Sequence, residues 1–273
     1  MKPATLDRPE LVPLDDLYSR ITAAVEDMGS GSPEALALLG QLGGETPRWL
    51  QAHLELEHST PSPSGVTACR LQQYGRAKGW PEEGSNPVNW TARAAAGVIR
   101  EPYWLAILTL AGLDIQLSDT AIPCGPHMKA NPDAYLGDWG IVELKDLQGW
   151  TFKRVIEGMG IAYEEPRYYT QVQLYLHATG RQWALFVAST PDPAMLQSMM
   201  RGYKKYGPEY DLPLVYLEWV ERRDVDVAAA LARAEMIVED IEGDIVPPRD
   251  FDGQVKWPCS YCPFQRTCNE RYG

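Results

Sequence analysis

The clearest pattern of hydrophobic and polar positions in this chain lies between residues 133 and 145. The apolar residues of Asp133–Leu136 and the alternating Val-Glu-Leu-Lys end of Ile141–Lys145 predict two β-strands. The intervening Gly137–Gly140 contains the residue types of a tight turn. The pattern therefore predicts a β-hairpin.

Three chemically active side chains lie on this hairpin. Successive strand residues face opposite sides, so Glu143 and Lys145 face the same way while Leu144 points into the core. Asp133 adds a second carboxylate from the neighbouring strand. Such a cluster can bind a hard cation such as Mg²⁺ or Mn²⁺ through oxygen, with an ammonium group beside it for phosphate charge. An exposed hairpin with ordinary surface charges is the alternative interpretation.

Residues 1–60 are predicted to form a helical extension that is separate from the rest. Apolar residues at helical spacing in Leu14–Val25 predict one helix, and the glycines and proline of Gly43–Pro47 predict a break after a second, short helix. The Ser/Pro-rich segment Ser59–Ser64 is the predicted boundary. The chain is thereby divided into residues 1–60 and 61–273.

Helical and strand patterns alternate beyond this boundary, which is typical of an α/β protein. The predicted fold is a mixed central sheet that holds the hairpin and is flanked by helices. The predicted elements are helices at Trp90–Leu110, Tyr168–Thr179, Pro193–Tyr206 and Asp226–Glu242 and strands at Trp183–Ala188 and Leu214–Val220. Gly180 follows the second of these helices at the position where a C′ glycine is expected.

Three of the five cysteines form a Cys-x2-Cys-x5-Cys pattern at Cys259–Cys268. Neighbours at x2 spacing bridge poorly and no secretory signal precedes them, so the pattern predicts a metal site rather than disulfides. Such a site needs a fourth ligand, for which Cys69 and Cys124 are the candidates. Cys124 is predicted to be a small buried side chain. Thiolates favour Zn²⁺ or an iron–sulfur centre, and the spacing alone does not separate the two.

Composition limits the choice of function. The formal net charge of −12 counts against tight sequence-specific DNA binding, which normally uses a basic surface. No apolar run approaches the ~20 residues that cross a bilayer, and no targeting pattern is present, so a cytoplasmic protein is expected. Basic residues gather in two groups that predict a groove: Lys145, Lys153, Arg154 and Arg167, and then Arg201, Lys204 and Lys205. For the second group, a solvated helix face is the alternative.

The hairpin resembles that of PD-(D/E)XK nucleases, with a literal Pro132-Asp133 and Glu143-Leu-Lys145. The segment from Ser62 to Tyr74, which contains Cys69, resembles the one that precedes the core of RecB-like nucleases. One cysteine before the core and Cys-x2-Cys-x5-Cys after it resemble the iron–sulfur branch of that group. This branch includes CRISPR-associated four-cysteine exonucleases, AddB-type nuclease domains and phage recombination exonucleases. The resemblance covers about residues 62–273 and leaves the first sixty unexplained.

Two further motifs carry the resemblance. Gly97 and Glu101 share a helix face, where the glycine is expected to allow close approach of another element. With Pro102, which is expected to distort the helix, they resemble the Gly-x3-Glu-Pro motif of the lambda-exonuclease/YqaJ branch, although RecB-like relatives often have histidine in place of this glutamate. Gln171 and Tyr175 also share a helix face and resemble the Gln-x3-Tyr motif that follows the catalytic lysine in RecB-like nucleases.

The resemblance implies a DNA exonuclease that needs Mg²⁺ or Mn²⁺ and acts from 5′ to 3′, with a structure- or single-strand-specific endonuclease and a non-catalytic DNA-end-binding scaffold as alternatives. It implies metal ligands at Glu101, Asp133, Glu143 and the Leu144 carbonyl, and catalytic roles for Asp133, Glu143, Lys145, Gln171 and Tyr175. It also implies a [4Fe-4S] cluster, with structural zinc as the alternative, held by Cys69, Cys259, Cys262 and Cys268. A single-strand annealing protein, a CRISPR adaptation protein and a helicase remain open as partners beside DNA.

Overall fold

The computed structural model describes residues 11–55, 61–82, 87–118, 120–190, 215–251, 259 and 262–272. Its helices are α1 (Leu14–Ser30), α2 (Pro33–Glu55), α3 (Arg70–Ala77), α4 (Pro87–Leu110), α5 (Gly149–Glu157), α6 (Ile161–Glu164), α7 (Pro166–Thr179), α8 (Asp224–Glu242) and α9 (Gln265–Tyr272). Its strands are β1 (Ile115–Leu117), β2 (Ile122–Cys124), β3 (Met128–Ala130), β4 (Ala134–Leu136), β5 (Gly140–Asp146), β6 (Trp183–Ser189) and β7 (Val215–Glu221). The predicted helix Pro193–Tyr206 lies outside the described residues.

A mixed five-stranded sheet with the order β1-β4-β5-β6-β7 forms the centre of the molecule. Strands β5 and β6 are parallel, and the other neighbouring pairs in this sheet are antiparallel. Strands β2 and β3 form a separate antiparallel pair. The predicted α/β class, with a mixed sheet flanked by helices, is confirmed.

The predicted hairpin is formed by β4 and β5. Ala134 pairs with Val142 and Leu136 with Gly140, so three residues make the turn. Gly137 begins that turn with φ of 53°, a left-handed conformation that glycine adopts without steric cost. The Arg181 guanidinium donates hydrogen bonds of 2.6 Å to the carbonyls of both Gly137 and Gly140. The turn is therefore held from the end of α7, and the register brings Asp133 beside Glu143.

Two hydrophobic cores cover the two faces of the sheet. On one face Ile141 packs with side chains of α5, α7 and α8, among them Phe152. On the other face Val142 and Leu144 pack with side chains of α1 and α4. The alternation along β5 thus directs consecutive residues into different cores. Helices α5, α7 and α8 therefore cover one face of the sheet, and α1 and α4 cover the other.

Helix α1 belongs to the same core as the sheet, because Leu17 packs in the cluster that contains Val187. The predicted break at Gly43–Pro47 is wrong, since α2 continues through it. Leu42 is buried against the core that α4 lines, and this tertiary packing outweighs the weak helix propensity of glycine. Residues 56–60, beside the predicted boundary between 1–60 and 61–273, lie outside the described part, so the division stays a prediction.

Within the part of the chain that the structure describes, no helix combines enough length and apolar character to span a bilayer.

Candidate active site

Glu143 and Lys145 lie on the same face of β5, as the alternation predicts. Glu143 is completely buried, and its Oε1 forms an ion pair with the Lys145 ammonium group. The other carboxylate oxygen, Oε2, is buried without a hydrogen-bond partner among the described residues. Leu144 packs into the opposite core. The alternative of an exposed hairpin with surface charges is therefore wrong for Glu143.

Asp133 lies immediately before β4 and turns its carboxylate toward β5. Its Oδ2 accepts a hydrogen bond of 2.6 Å from the backbone N–H of Leu144. This contact holds the carboxylate between the positions of Glu143 and Lys145 on the neighbouring strand. The three predicted hairpin residues thus form one cluster.

Helix α7 contributes the polar side chains that cover this cluster. Gln171 Nε2 donates to Glu143 Oε1 and to the Tyr175 hydroxyl, each at 2.9 Å. Gln173 is equally buried but lies elsewhere, since its Nε2 donates to the Glu221 carbonyl and its Oε1 accepts from the Arg223 N–H. The predicted i,i+4 pairing of Gln171 and Tyr175, with Gln173 pointing away, agrees with the structure.

Glu101, on α4, lies close to the same cluster. Burial raises the pKa of its carboxyl group to about 9, and the charges of Asp133 and Glu143 add to the increase while Lys145 opposes it. The expected close approach of another element at Gly97 is wrong, because a Cβ there would meet no described atom within 4 Å. Gly97 instead leaves open space beside Glu101. Helix α4 continues through Pro102.

Burial and mutual repulsion raise the pKa values of the carboxyl groups in this cluster. Burial raises the pKa of Glu143 to about 8, with a further increase from Asp133 and an opposing effect from Lys145. Burial lowers the pKa of Lys145, but the carboxylates of Glu143 and Asp133 outweigh it and hold that pKa above its usual value. Lys145 therefore stays charged at neutral pH, whereas the raised pKa values keep Glu101 and Glu143 mostly protonated in the absence of a cation.

The donor chemistry of the cluster suits a divalent cation. Among the described residues no group of three or more His, Cys, Asp and Glu side chains is arranged to hold a metal ion. The donor set nevertheless fits Mg²⁺ or Mn²⁺, because it consists of carboxylate oxygens and includes the buried, unpartnered Oε2 of Glu143. Cations lower carboxyl pKa values, so a bound ion would favour the charged forms.

A cleft of about 50 Å³ opens beside Glu101 at the carboxyl ends of the parallel strands β5 and β6. It is lined by Gly97, Arg100, Glu101, Trp104, Leu144, Lys145, Asp146, Val187 and Ser189. In this cleft Arg100 Nη1 lies 3.0 Å from Asp146 Oδ1, to which the Ser189 hydroxyl donates at 2.7 Å. No sequence pattern predicted a role for these three residues. Arg100 precedes Glu101 and Asp146 follows Lys145, and this adjacency to predicted site residues is the signal that points to them.

The predicted basic groove is largely neutralised where the structure describes it. Lys153 pairs with Glu157 at 3.7 Å, and Arg154 and Arg167 both approach Glu165. Arg201, Lys204 and Lys205 lie outside the described residues. Among the basic residues that were predicted and described, Lys145 is the one in the carboxylate cluster.

Cys262 lies within electrostatic reach of three other cysteines. Burial raises the pKa of its thiol, and charge interactions with Cys69, Cys268 and Cys259 add to the increase. No disulfide joins any of the five cysteines, all of which are described. Cys124 lies in the core beside α7, where its Sγ is 3.4 Å from the Leu174 carbonyl.

Polar contacts hold the Cys69 segment on α8. Arg233 donates from Nε to the Val66 carbonyl at 2.7 Å and from Nη2 to the Ala68 carbonyl at 2.8 Å. It also forms an ion pair with Asp250, whose Oδ2 accepts from the backbone N–H of Arg70 at 2.9 Å. The residues on both sides of Cys69 are thereby tied to α8 and to the start of the tail.

Aromatic packing holds the C-terminal segment, residues 262–272, against α3. Phe264, two residues after Cys262, is 1% exposed and packs edge-on against Trp80 with ring centroids 6.1 Å apart. Trp80 packs in turn against Tyr74 of α3 at 5.7 Å. Soft thiolates as donors prefer zinc or an iron–sulfur cluster. Among the described residues, however, the cysteines form no group of three or more that is arranged to hold a metal ion.

No protein-family model matches the chain, and no curated protein matches it by sequence. The chain has distant likenesses to solved structures, among them the following three. An alkaline exonuclease from Laribacter hongkongensis has 20% identity and a TM-score of 0.46, over 67% of this chain and 88% of that one. A protein named SSO0001 has 16% identity and a TM-score of 0.48, over 84% and 95%. A phage-related exonuclease from Haemophilus somnus has 13% identity and a TM-score of 0.33, over 64% and 74%.

Proposed function

We propose that this protein is a metal-dependent DNA exonuclease that hydrolyses phosphodiester bonds at DNA ends in the 5′-to-3′ direction. The observation that carries the proposal is the carboxylate of Glu143. It is fully buried, one oxygen contacts Lys145 and Gln171, and the other has no hydrogen-bond partner in the described part of the chain. Burying an incompletely paired carboxylate is costly, and such groups concentrate at functional sites.

The carboxylates of Asp133 and Glu143 and the carbonyl of Leu144 would hold one Mg²⁺ or Mn²⁺, and Glu101 would help to hold that ion or a second one. The bound ion would supply Lewis acidity toward a phosphoryl oxygen and would make water more acidic. The contact between Asp133 and the Leu144 N–H fixes one of these carboxylates against the strand.

Lys145 would orient the attacking water and stabilise the charge that develops on the phosphoryl oxygens. Its pKa lies above the usual value, so it keeps its positive charge throughout the neutral range. Gln171 would assist by holding Glu143 Oε1, and the Tyr175 hydroxyl fixes the orientation of the Gln171 amide. None of these steps requires a covalent intermediate.

The four neighbouring cysteines are proposed to hold a [4Fe-4S] cluster with a structural role, and a Cys₄ zinc site is the alternative. Ligation by Cys69, Cys259, Cys262 and Cys268 would join the tail to the segment before the core. The charge interactions of Cys262 with the other three support this set, whereas Cys124 lies in the α7 core.

The proposal is tested with purified protein, linear DNA labelled at either the 5′ or the 3′ end, and circular DNA, each with and without Mn²⁺. Release of the 5′ label from linear DNA as mononucleotides, with circles left intact, is the expected result. Early release of the 3′ label would show that the exonuclease acts in the 3′-to-5′ direction. Cutting of circles would favour an endonuclease, and binding without cleavage would favour a scaffold.

A further inference from the structure

Trp150 differs from the other described tryptophans in its exposure to solvent. It lies in the first turn of α5 and is 80% exposed. The other tryptophan side chains that the structure describes are buried or half-buried: Trp80, Trp104, Trp139, Trp183 and Trp219. Tryptophan is a highly buried residue type on average, and it is enriched where another molecule binds. The packing of the fold gives no reason for this ring to be at the surface.

Basic residues share the exposed face of α5 with Trp150. The opposite face is fixed by the buried side chains of Phe152 and Val155, so Trp150, Lys153 and Arg154, at i, i+3 and i+4, face solvent together. The Lys153 ammonium group lies 5.8 Å from the centroid of the Trp150 ring, a cation–π distance that helps to orient the indole. Because Trp150 is so exposed, the other side of its ring is open to a ligand.

A series of contacts connects this face to the carboxylate cluster. Arg154 and Arg167 both pair with the buried carboxylate of Glu165, immediately before α7. The Arg167 guanidinium lies 5.2 Å from the ring centroid of Tyr168. The Lys145 ammonium group lies 5.7 Å from the same centroid. The exposed face of α5 is thus continuous with the surroundings of Lys145.

The charges of this surface favour an anionic ligand. Two carboxylates pair with its three cations, because Glu157 faces Lys153 while Glu165 serves both arginines. The Glu164 carboxylate lies instead beside Gly158, at the C-terminal end of α5. One positive charge therefore remains, on a chain whose formal net charge is −12. Lys153 and Glu157 form a surface pair, which contributes little to stability, so a phosphate can replace that carboxylate at little cost.

We propose that the exposed face of α5 binds an unpaired strand of the DNA substrate, with one base stacked on Trp150 and neighbouring phosphates at Lys153 and Arg154. The inference rests on the proposed nuclease function and adds a preference for an unpaired strand. Unpaired bases present their faces to side chains, whereas bases within a duplex are stacked on one another. Trp150 follows Lys145 by five residues, so their Cα atoms are at most ~18 Å apart, or about five nucleotides at ~3.4 Å each. One strand can therefore occupy both.

Equilibrium binding without divalent ions, so that no cleavage occurs, tests the proposal. The fluorescent probes are a short single-stranded oligonucleotide, an abasic strand of the same length, and a blunt duplex that contains the first strand. The variants are Trp150→Ala, Trp150→Phe and Lys153→Gln. The matched controls are Tyr163→Ala, an exposed aromatic residue on α6, and Arg20→Gln, which breaks an exposed i,i+4 pair on α1.

Trp150→Ala should lower the affinity for the single strand by about fivefold or more, because stacking on an aromatic ring contributes that much per base. Trp150→Phe should keep part of the affinity, since it retains a smaller ring. Neither variant should change the affinity for the abasic strand or the blunt duplex. Lys153→Gln should reduce the slope of log K against log salt on both single strands by ~0.7, as one lost phosphate contact requires, and Trp150→Ala should leave that slope unchanged.

Three results would overturn the proposal. A loss in Trp150→Ala no larger than that in Tyr163→Ala would remove Trp150 from DNA binding. Equal losses on the single strand and the blunt duplex would refute the preference for an unpaired strand. Dissociation of an oligomer in Trp150→Ala, measured by analytical ultracentrifugation, with DNA binding unchanged, would assign this face to contact with a second copy of the chain.

Cleavage with Mn²⁺ separates this inference from the proposed function. Trp150→Ala should raise KM for single-stranded DNA with kcat nearly unchanged, because the residue acts away from the reacting phosphate. Thermal unfolding checks that the fold survives, as expected for a side chain this exposed. A wild-type protein that binds the single strand through Trp150 but cleaves no DNA would refute the nuclease and leave the stacking site standing. A wild-type protein that cleaves DNA, with Trp150→Ala unchanged in affinity and KM, would refute the stacking site alone.

Discussion

The carboxylate cluster and the cysteine group are assembled in different ways. Glu143, Gln171 and Tyr175 are all under 10% exposed and lie on a strand and a helix that share one core. Cys69 and Cys262 are only half-buried and lie at the start of a short helix and in the C-terminal tail. Those two segments do not share a sheet. They are joined by the contacts of Arg233 with the Val66 carbonyl and with Asp250, and by the packing of Phe264 against Trp80.

This difference predicts that the geometry of the two sites depends on bound metal to different degrees. A site whose side chains are positioned by core packing and direct hydrogen bonds keeps its geometry when its metal is absent. A site whose ligands come from two segments that are distant in sequence needs ligation to hold them together, and structural zinc contributes on the order of 10 kcal/mol in small peptides. Removal of metal should therefore abolish activity at the carboxylate cluster without changing its geometry. At the cysteine group, it should weaken the attachment of the C-terminal segment to α3.

The largest expected effect comes from Glu143→Gln. The amide keeps the shape of the side chain and an acceptor for Gln171 but removes the charge that would bind a cation. Nuclease activity with Mn²⁺ should fall by about a thousandfold or more. The initial rate on 5′-labelled linear DNA measures this, with circular dichroism to check the fold.

Glu157→Gln is the matched control, since that glutamate is exposed and pairs only with Lys153 in a surface i,i+4 contact. It should retain full activity. Activity of Glu143→Gln within tenfold of this control would remove Glu143 from the proposed metal site.

The second prediction concerns the cysteines and the metal they hold. Anaerobically purified protein should be brown, with iron and acid-labile sulfide near four per chain, as a cubane cluster requires. Cys69→Ser should lose the colour and the metal and should lower the melting temperature, because the tail loses its link to α3. Metal analysis and thermal unfolding provide the measurements.

Cys124→Ala is the control, because that thiol is buried in the α7 core away from the other four. It should keep the metal and lose about 1 kcal/mol of stability. A colourless protein with one zinc would replace the cluster with a Cys₄ zinc site. Metal that survives Cys69→Ser but not Cys124→Ala would identify Cys124 as the fourth ligand.

The third prediction compares two buried glutamines on α7. Gln171→Ala removes the contact to Glu143 and should lower kcat by roughly ten- to a hundredfold. Gln173→Ala leaves the Arg223 N–H without its acceptor and should instead lower the free energy of unfolding by about 1–3 kcal/mol, with kcat unchanged. Single-turnover cleavage and denaturant unfolding of both variants measure the contrast. Equal effects of the two on kcat would show that Gln171 has no special part in the chemistry.

The smallest expected effect is that of Arg233→Gln, which weakens the attachment of the Cys69 segment to α8. It should lower stability by about 1–3 kcal/mol and speed the loss of metal to a chelator. Arg20→Gln, which breaks an exposed pair on α1, is the control and should change neither quantity. If Arg233→Gln loses its metal no faster than this control, the arginine has no part in positioning Cys69.

Local patterns in the sequence were good predictors where the interaction is local. The two-residue period of a strand predicted that Glu143 and Lys145 share a face, and the i,i+4 spacing of a helix predicted the contact between Gln171 and Tyr175. Both relations follow from backbone geometry alone. The metal, the cluster, the direction of cleavage and the domain division remain predictions.

The prediction failed where the outcome depends on distant parts of the chain. Gly97 was expected to permit a close contact but borders the cleft, with no described atom within 4 Å of the position of a Cβ. The contact of Arg100 with Asp146 and Ser189 joins α4, β5 and β6, and no spacing in the sequence encodes it.

By itself, the sequence determined the hairpin, the face that Glu143 and Lys145 share, and the clustering of cysteines at the carboxyl terminus, since each follows from periodicity or spacing over a few residues. Only the tertiary structure decided that Glu143 is completely buried, that Cys69 rather than Cys124 lies within reach of Cys262, and that Arg100 pairs with Asp146. Those properties depend on which elements pack together. Packing is the summed result of many weak contacts between residues far apart in the chain.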